Sequence, residues 1–302
     1  MNKKYTIISY YKFTKIKNIF KYKNILNSKF KDLDIKGIVL LAPEGINISV
    51  SILSSDIQYL IASLKKVFNI VEQKLKLSFS NKHIYRKIKI KIKKEILTTR
   101  IAPQISPHKI VGNYIKPELW DDFIMDPEVL LIDTRNNYEV EVGTFKKAIN
   151  PKCHNFTEIL AWLDNNIINN NTYQYKKIAM FCTGGIRCEK ATSYIKAKGH
   201  ENIYHLEGGV LKYLEASKKS NNWKGECFVF DNRVSINNNL EVGTYNLCFG
   251  CRMPLSQIDL KSKGYIKGIS CPKCQKNKSE KQLNKYKTRN DQFLKENKNE
   301  RN

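Results

Sequence analysis

Two short, uninterrupted apolar runs and a third strand-like run that contains a histidine, all in the middle of the chain, constrain the fold more than any other feature. They cover residues 129–132, 178–181 and 203–206, and helical stretches separate them. Apolar runs of this length are typical of strands buried on both faces, and their alternation with helices predicts an open, mostly parallel α/β sheet. Ligands of such sheets bind at the carboxyl ends of the strands. Functional residues are therefore expected where these runs end.

A glycine-containing loop follows the second run directly. It consists of Cys182, Thr183, Gly184, Gly185, Ile186 and Arg187. The glycines let the backbone curl so that N–H groups point inward, and the helix predicted after the loop adds positive potential. Such a loop binds an anion and lowers the pKa of its cysteine. We predict that Cys182 is catalytic, against the alternative of a buried structural cysteine, and that Arg187 either braces the loop or binds the anion.

Other polar residues near the strand ends have two interpretations each. Cys188 could resolve an oxidised or persulfidated Cys182, or it could be a small packed residue, which we favour. Asp133 and Arg135 follow the first run and could touch substrate, but a buried ion pair that holds the loops is favoured. Glu189, close to the start of the predicted helix, is expected to complement the helix dipole.

The charge is distributed unevenly. Residues 1–100 carry 22 Lys and Arg against 6 Asp and Glu, a net charge of +16, whereas residues 101–247 carry 17 of each. A basic region beside a neutral one indicates one part that binds a polyanion and another that performs chemistry. A compositional bias toward Lys, Asn and Ile is the alternative, but it would have made the middle of the chain basic as well.

The first 95 residues predict a ferredoxin-like α+β domain with the order β-α-β-β-α-β. Residues 87–93 alternate strictly between Lys and Ile, so one face of this strand would be cationic and the other apolar. Tyr10, Tyr11 and Phe13 follow the first strand. They could stack on unpaired bases, although core packing is expected for at least half of them.

Four of the eight cysteines form two pairs near the C-terminus. Cys248 and Cys251 are separated from Cys271 and Cys274 by 19 residues. Four thiolates in this spacing suit a tetrahedral structural Zn²⁺ in a zinc-ribbon-like module. Such an ion has no open coordination position, so it would not activate oxygen. The alternative is four reduced cysteines without a metal.

These features predict five segments: a basic ferredoxin-like domain at 1–95, a linker at 96–120, an α/β domain at 121–220, a segment with the paired cysteines at 221–274, and a disordered basic tail at 275–302 that forms helix only transiently. No apolar run reaches the roughly 18 residues that span a bilayer, and the N-terminus lacks the features of a signal peptide. We expect a cytoplasmic protein without a membrane partner. No nucleotide-cofactor motif is evident.

Several motifs resemble one family. The loop from Cys182, together with the landmarks Asp133-Thr134-Arg135, Tyr138-Glu139, Gly143-Thr144-Phe145 and Ala148-Ile149-Asn150, resembles the rhodanese superfamily. Longer stretches at 42–47, 181–191 and 225–234, with the paired cysteines, are similar to the bacterial rhodanese-domain tRNA uridine hydroxylases over roughly residues 5–274. One departure is that Ile48-Ser49 replaces the family's usual Gly-Thr step, which would alter any contact of that turn with RNA.

The resemblance implies a rhodanese fold and oxygen-dependent formation of 5-hydroxyuridine at the wobble position, uridine 34. It implies Cys182 as the catalytic residue, molecular oxygen as co-substrate and the anticodon region of tRNA as partner. Two alternatives remain open. The same loop would serve a sulfurtransferase that carries a persulfide on Cys182, and a rhodanese fold can also be a binding module without activity, although the intact cysteine argues against that.

Overall fold

The computed structural model describes residues 4–100, 105, 107–169, 176–216 and 222–299. The chain forms two compact units. One comprises Met1–Cys227 with Asn238–Leu240, and the other comprises Phe228–Asn237 with Glu241–Asn302. In the described part of the chain, no helix combines the length and the apolar character needed to cross a membrane.

The first unit begins with the predicted ferredoxin-like domain. Its elements are β1 (Tyr5–Phe13), α1 (Ile19–Phe30), β2 (Ile35–Ala42), β3 (Gly45–Leu53), α2 (Ile57–Phe68), β4 (Lys76–Ser80) and β5 (Ile88–Ile92). The sheet order is β4-β1-β3-β2-β5, and β5 is parallel to β2. Alternating apolar residues of the strands pack against the helices in one core, which includes Val39, Ile48 and Leu60. The predicted fold of this domain is confirmed.

The tight connection between β2 and β3 depends on Gly45. This glycine has φ +152°, and a Cβ there would lie 2.1 Å from the carbonyl oxygen of Lys12. Only glycine permits so close an approach between the β2–β3 turn and β1. The turn residue before it, Glu44, is thereby held at the end of the sheet.

The second part of this unit is the predicted α/β domain. Its elements are β6 (Asn113–Ile115), α3 (Pro117–Met125), β7 (Val129–Asp133), α4 (Asn137–Val140), β8 (Gly143–Phe145), α5 (Phe156–Leu163), β9 (Lys177–Phe181), α6 (Ile186–Ala197), β10 (Ile203–Leu206), α7 (Gly209–Ala216) and β11 (Trp223–Gly225). Four strands form a parallel sheet in the order β6-β10-β9-β7, as predicted, and β8 pairs with β11. The carboxyl ends of β7, β9 and β10 meet at one edge.

The predicted linker at 96–120 is not wholly a linker. It contains β6, the edge strand of the parallel sheet, and the first turn of α3. A strand of three residues is too short to show a period, and Pro117, which indicated a break, occupies the first turn of a helix, where proline is tolerated.

The second unit holds the paired cysteines. Its regular elements, with the strand that leads into it, are β12 (Cys227–Phe228), β13 (Ser235–Ile236), β14 (Asn246–Leu247), β15 (Pro254–Leu255), α8 (Gln257–Lys261), α9 (Pro272–Gln275) and α10 (Glu280–Asn299). The antiparallel strands β14 and β15 enclose the first cysteine pair, and Cys271 is the N-cap of α9.

Residues 280–299 of the predicted disordered tail form the helix α10. Ser279 and Gln282 exchange hydrogen bonds across the start of α10, which is the pattern of a capping box. The Arg289 guanidinium donates to the carbonyl oxygen of Phe249, so α10 has a tertiary contact with the turn between the first two cysteines. The low apolar content that suggested disorder is offset by capping and this contact.

Candidate active site

Cys182 lies directly after β9 and is completely buried. The backbone N–H of Gly185 donates a hydrogen bond to its Sγ over 3.1 Å, and Gly185 adopts φ +96°. Gly209, also at positive φ, packs on the loop so closely that a Cβ would lie 2.5 Å from the Cys182 carbonyl oxygen. Val210 N–H donates to the same carbonyl, which ties the loop to α7. The loop is thus preorganised around the sulfur.

The surroundings favour the thiolate form of Cys182. Burial acts to raise its pKa, but the hydrogen bond from the Cys188 thiol, the charge of Arg187 and the backbone N–H groups of Cys188 and Arg187 outweigh burial and lower the pKa to about 5. At neutral pH the sulfur is therefore an anion at the N-terminus of α6.

Arg187 braces the loop. Its guanidinium donates two hydrogen bonds to the carboxylate of Glu139, at 2.6 and 2.7 Å, and a longer one to the Thr183 hydroxyl. Glu139 is fully buried and also accepts from Thr183. Burial raises the pKa of Glu139, but the Arg187 charge and hydrogen bonds lower it overall. Of the two predicted roles of Arg187, the structure shows the bracing contact.

Cys188 is both packed and close to the reactive sulfur. It is fully buried in the core cluster of the α/β domain, and its Sγ lies 3.4 Å from the Thr134 hydroxyl. Burial raises its pKa well above the ordinary value, and the hydrogen bond to Cys182 raises it further. Cys188 therefore stays a neutral thiol that donates to the Cys182 thiolate.

Asp133 and Arg135 form a fully buried ion pair. The guanidinium donates to both carboxylate oxygens, at 2.9 and 2.6 Å, and to the Gly143 carbonyl. The Thr144 hydroxyl donates to Asp133, so the pair connects the end of β7 to β8. The pair therefore holds the loop after β7 against β8, which is the role favoured from the sequence.

The ferredoxin-like domain contributes to the same site. The Tyr11 hydroxyl donates a hydrogen bond to the Glu189 carboxylate over 2.9 Å. It also lies 2.6 Å from the position that a Cβ on Gly185 would occupy. Lys76 is 7% exposed, and its ammonium lies 4.8 Å from the centre of the Tyr11 ring. Tyr114 of β6 also hydrogen-bonds Glu189. Glu189 thus links the two domains rather than only complementing the helix dipole.

A cavity of about 740 Å³ opens where these groups meet. Its lining combines aromatic rings with charges of both signs, and it is formed by Tyr10, Tyr11, Lys12, Phe13, Lys74, Lys76, Tyr114, Lys116, Glu189, Glu207, Gly208 and Lys212, among others. Gly208 and Glu189 belong to the surroundings of the Cys182 loop. The volume is typical of a small-molecule or nucleotide site.

The three aromatic residues predicted to follow the first strand lie within β1, and they divide between the core and the site. Tyr10 is buried in the first core and accepts a hydrogen bond from the Val71 N–H, and Phe13 is buried as well. Tyr11 alone of the three hydrogen-bonds the rhodanese part of the site.

A buried lysine fastens the two domains together beside the site. Lys190 of α6 is fully buried, and its ammonium lies 2.9 Å from Glu44 and 2.9 Å from Glu95. It also donates to the Leu97 carbonyl. Glu44 belongs to the β2–β3 turn, so the structure gives this turn a structural contact within the protein. Ile48, which stands at the departure from the family pattern, is buried in the core.

The four paired cysteines meet in the second unit. Their Sγ atoms all lie within 4.8 Å of one another. Cys248 and Cys274 are 4.0 Å apart, and Cys271 is 3.7 Å from Cys251 and from Cys274. A Zn–S bond of about 2.3 Å implies roughly 3.8 Å between tetrahedral ligands. The cluster fits a tetrahedral metal ion and is consistent with the predicted zinc-ribbon-like module.

Two family models match the chain in sequence. Residues 5–96 match the UPF0176 acylphosphatase-like domain, and residues 116–216 match the rhodanese-like domain. This pair, in this order, is the architecture of the UPF0176 family. The chain has the domain architecture of the UPF0176 family. The resemblance predicted from the sequence motifs is confirmed at the level of the family.

Solved structures match parts of this chain at low identity. A rhodanese-related protein from Thermoplasma volcanium is 20% identical, with 35% of this chain and 95% of the other covered at a TM-score of 0.28. The rhodanese-like domain of an Anabaena protein is 12% identical (38% and 80% covered, TM-score 0.31). The reduced CoADR-RHD of Bacillus anthracis is 17% identical (56% and 28% covered, TM-score 0.33).

The sequence does not indicate the roles of four groups at this site. Its motifs include Glu139 only as part of a family landmark and give Glu189 only a local role, and nothing distinguishes Lys76 or Tyr114 from other residues of their type. A capping-box pattern at Asn136 and Glu139 marks the start of α4, but nothing local indicates that Glu139 reaches Arg187.

Proposed function

We propose that this chain is a tRNA-modifying enzyme, an oxidoreductase that hydroxylates the wobble uridine of tRNA to 5-hydroxyuridine with Cys182 as its catalytic residue. The observation that carries the proposal is the shared cavity. The basic ferredoxin-like domain and the surroundings of the Cys182 loop line one space of about 740 Å³. A small-thiol enzyme has no need of a basic domain at its active site.

The basic domain supports a polyanionic substrate. Lys87, Lys89, Lys91 and Lys93 are all exposed along β5 and its ends, whereas the intervening isoleucines are partly buried. Alternate residues of a strand stand about 7 Å apart on one face, so the four ammonium groups form a line. A line of cations binds the phosphates of a nucleic acid and steers its approach.

The anticodon loop suits the cavity. Its bases are unpaired, so the wobble base can turn out of the stack at a lower cost than a base in a duplex. Tyr11 and Tyr114 offer rings, Glu189 and Lys76 offer polar groups, and the volume accommodates one nucleotide. We place tRNA at this face in the cytoplasm, where anticodons are accessible.

In this account Cys182 supplies a sulfur anion from its buried loop, whose neighbours Glu189 and Gly208 line the reacting end of the cavity. Molecular oxygen is the co-substrate that the family resemblance implies. The four-cysteine cluster would hold a Zn²⁺ with no open coordination position, so its part is to stabilise the fold of the second unit.

The second candidate is a sulfurtransferase that carries a persulfide on Cys182. The low pKa of Cys182 and the loop N–H groups favour it, because a persulfide is also a sulfur anion. The two functions differ in what they need beyond the loop. The basic domain and the nucleotide-sized cavity favour hydroxylation of RNA.

Nucleoside analysis of a deletion strain separates the two functions. Bulk tRNA is digested and 5-hydroxyuridine with its derivatives is measured by mass spectrometry, after complementation with the wild-type chain, Cys182→Ser or the control Cys153→Ala. Cys153 is a buried thiol of the same domain whose pKa burial raises. We expect loss in the deletion strain and with Cys182→Ser, and recovery with the other two. If deletion leaves the nucleoside unchanged while the purified chain transfers sulfur through Cys182, the sulfurtransferase is the better account.

A further inference from the structure

Lys76 is a buried cation that forms no ion pair with any residue in the described part of the chain. It begins β4, opposite Ser9 of β1, and is 7% exposed. Within the described residues, its ammonium has neither a hydrogen bond nor an ion pair, and its close contact is the face of the Tyr11 ring at 4.8 Å. Burying an ammonium group is costly unless an anion or hydrogen-bond acceptors compensate. The compensation is expected from something that enters the cavity that Lys76 lines.

The carboxylate whose charge acts on Lys76, that of Glu189, is already engaged. Glu189 accepts hydrogen bonds from the hydroxyls of Tyr11 and Tyr114. Its charge and that of the Cys182 thiolate act on Lys76 to favour the cation, whereas Lys212 and Lys74 act against it. Burial has the largest effect, and the pKa of Lys76 falls to about 8. At neutral pH the group is still mainly an ammonium.

The ring of Tyr11 connects Lys76 to the Cys182 loop. The Lys76 ammonium lies 4.8 Å from the centre of this ring, and the hydroxyl of the same ring lies 2.6 Å from the position that a Cβ on Gly185 would occupy. Lys76 belongs to the ferredoxin-like domain and Cys182 to the rhodanese domain, so the site is complete only when the two domains are together. Tyr11 links the two domains at this site, because its hydroxyl donates a hydrogen bond to Glu189 and its ring packs against the Lys76 ammonium.

We propose that Lys76 binds an anionic oxygen of the substrate at the reacting end of the cavity, and that Tyr11 is a positioning residue for it. The inference rests on the proposed function in taking a nucleotide as the occupant. Two groups of oxygens in a nucleotide carry negative charge or acquire it: those of the 5′-phosphate and the carbonyl oxygens of the uracil ring. Tyr11 places Lys76 beside the Cys182 loop, which favours the ring oxygens.

The test uses Lys76→Met, which keeps the length and removes the charge, and Lys76→Arg, which restores it. Lys198→Met is the matched control, because Lys198 is exposed beyond the far end of α6, roughly 18 Å of helix away from the loop. Each full-length variant complements the deletion strain, and 5-hydroxyuridine in tRNA is measured. Thermal unfolding and binding of unmodified tRNA are measured on the purified chains.

We expect Lys76→Met to lower 5-hydroxyuridine at least about tenfold while tRNA affinity stays within about twofold. Lys76→Arg should recover part of the loss, and Lys198→Met should match the wild type. Wild-type levels with Lys76→Met overturn the inference, as does a tRNA affinity that falls in parallel with modification. Failure of the wild-type chain itself to restore the nucleoside counts against the proposed function instead.

Calorimetric binding of uridine and of uridine monophosphate, used as probes, identifies the oxygen. A ring oxygen predicts that Lys76→Met weakens both probes by a similar factor. If Lys76→Met weakens the binding of uridine monophosphate but not of uridine, Lys76 binds the phosphate, and its assignment to the ring oxygens at the reacting end of the cavity is wrong. Absence of binding of either probe to the wild-type chain at millimolar concentration overturns the inference as a whole.

Discussion

Replacing Cys188 by alanine tests how the loop stabilises the Cys182 thiolate. A fall in the pKa of Cys182 from 9.0 to about 5 corresponds to about 5 kcal/mol in favour of the anion, at 1.36 kcal/mol per pH unit. A hydrogen bond to a charged group contributes about 1.5–3 kcal/mol. Loss of the Cys188 thiol should therefore raise the pKa of Cys182 by roughly one to two pH units, because Arg187 and the backbone N–H groups remain.

The thiolate is measured by its ultraviolet absorbance as the pH changes, and the signal of Cys182 is the difference from the same chain carrying Cys182→Ser. Cys153→Ala is the control, since this cysteine lies in the same core cluster and is not among the groups that lower the Cys182 pKa. An unchanged midpoint in Cys188→Ala would refute the reasoning. An equal rise of the Cys182 pKa in Cys153→Ala would show that loosening of the core, and not loss of the Cys188 thiol, causes the change.

Four further outcomes follow from the contacts. The folded-state pKa of Cys182 lies below its unfolded value, so its stabilising contribution is complete above about pH 9 and is lost as the pH falls through 5. Urea unfolding should show the wild type gaining about 2.3 kcal/mol over Cys182→Ser between pH 5 and pH 7. Glu139→Gln leaves Arg187 without its buried carboxylate and should cost about 3–5 kcal/mol in the free energy of unfolding, whereas a loss below about 1 kcal/mol contradicts the bracing role. Lys190→Met leaves Glu44 and Glu95 without their ion-pair partner and should hasten limited proteolysis near residue 96. An unchanged rate of proteolysis would contradict the role of Lys190 in joining the two domains. Metal analysis should find about one zinc per chain, and chelation or Cys271→Ser should unfold the second unit without moving the Cys182 midpoint.

The sequence predicted those features whose signals are local. Apolar runs mark β7, β9 and β10, and the glycines after Cys182 indicate the loop because a curled backbone needs them. The spacing of the paired cysteines predicts their meeting. Each of these signals lies within a few residues of the structure that it specifies.

Contacts between distant parts of the chain could not be predicted in this way. Tyr11 and Glu189 are 178 residues apart, and no period or motif relates them. Lys76 is one of many lysines in a basic domain, and only the fold distinguishes it from the exposed ones. The strand β6 has three residues, which is too few to show alternation, so it was assigned to a linker. The helix α10 is polar, and its contact with Phe249 comes from tertiary structure.

The origin of the added oxygen tests the central claim most directly. Deletion-strain cells that express the wild-type chain or Cys182→Ser are grown under oxygen-18 gas, and 5-hydroxyuridine from their tRNA is examined by mass spectrometry. The account predicts heavy oxygen in the nucleoside with the wild-type chain and loss of the nucleoside with Cys182→Ser. Unlabelled 5-hydroxyuridine, or an equal amount of labelled nucleoside with the serine variant, would contradict it.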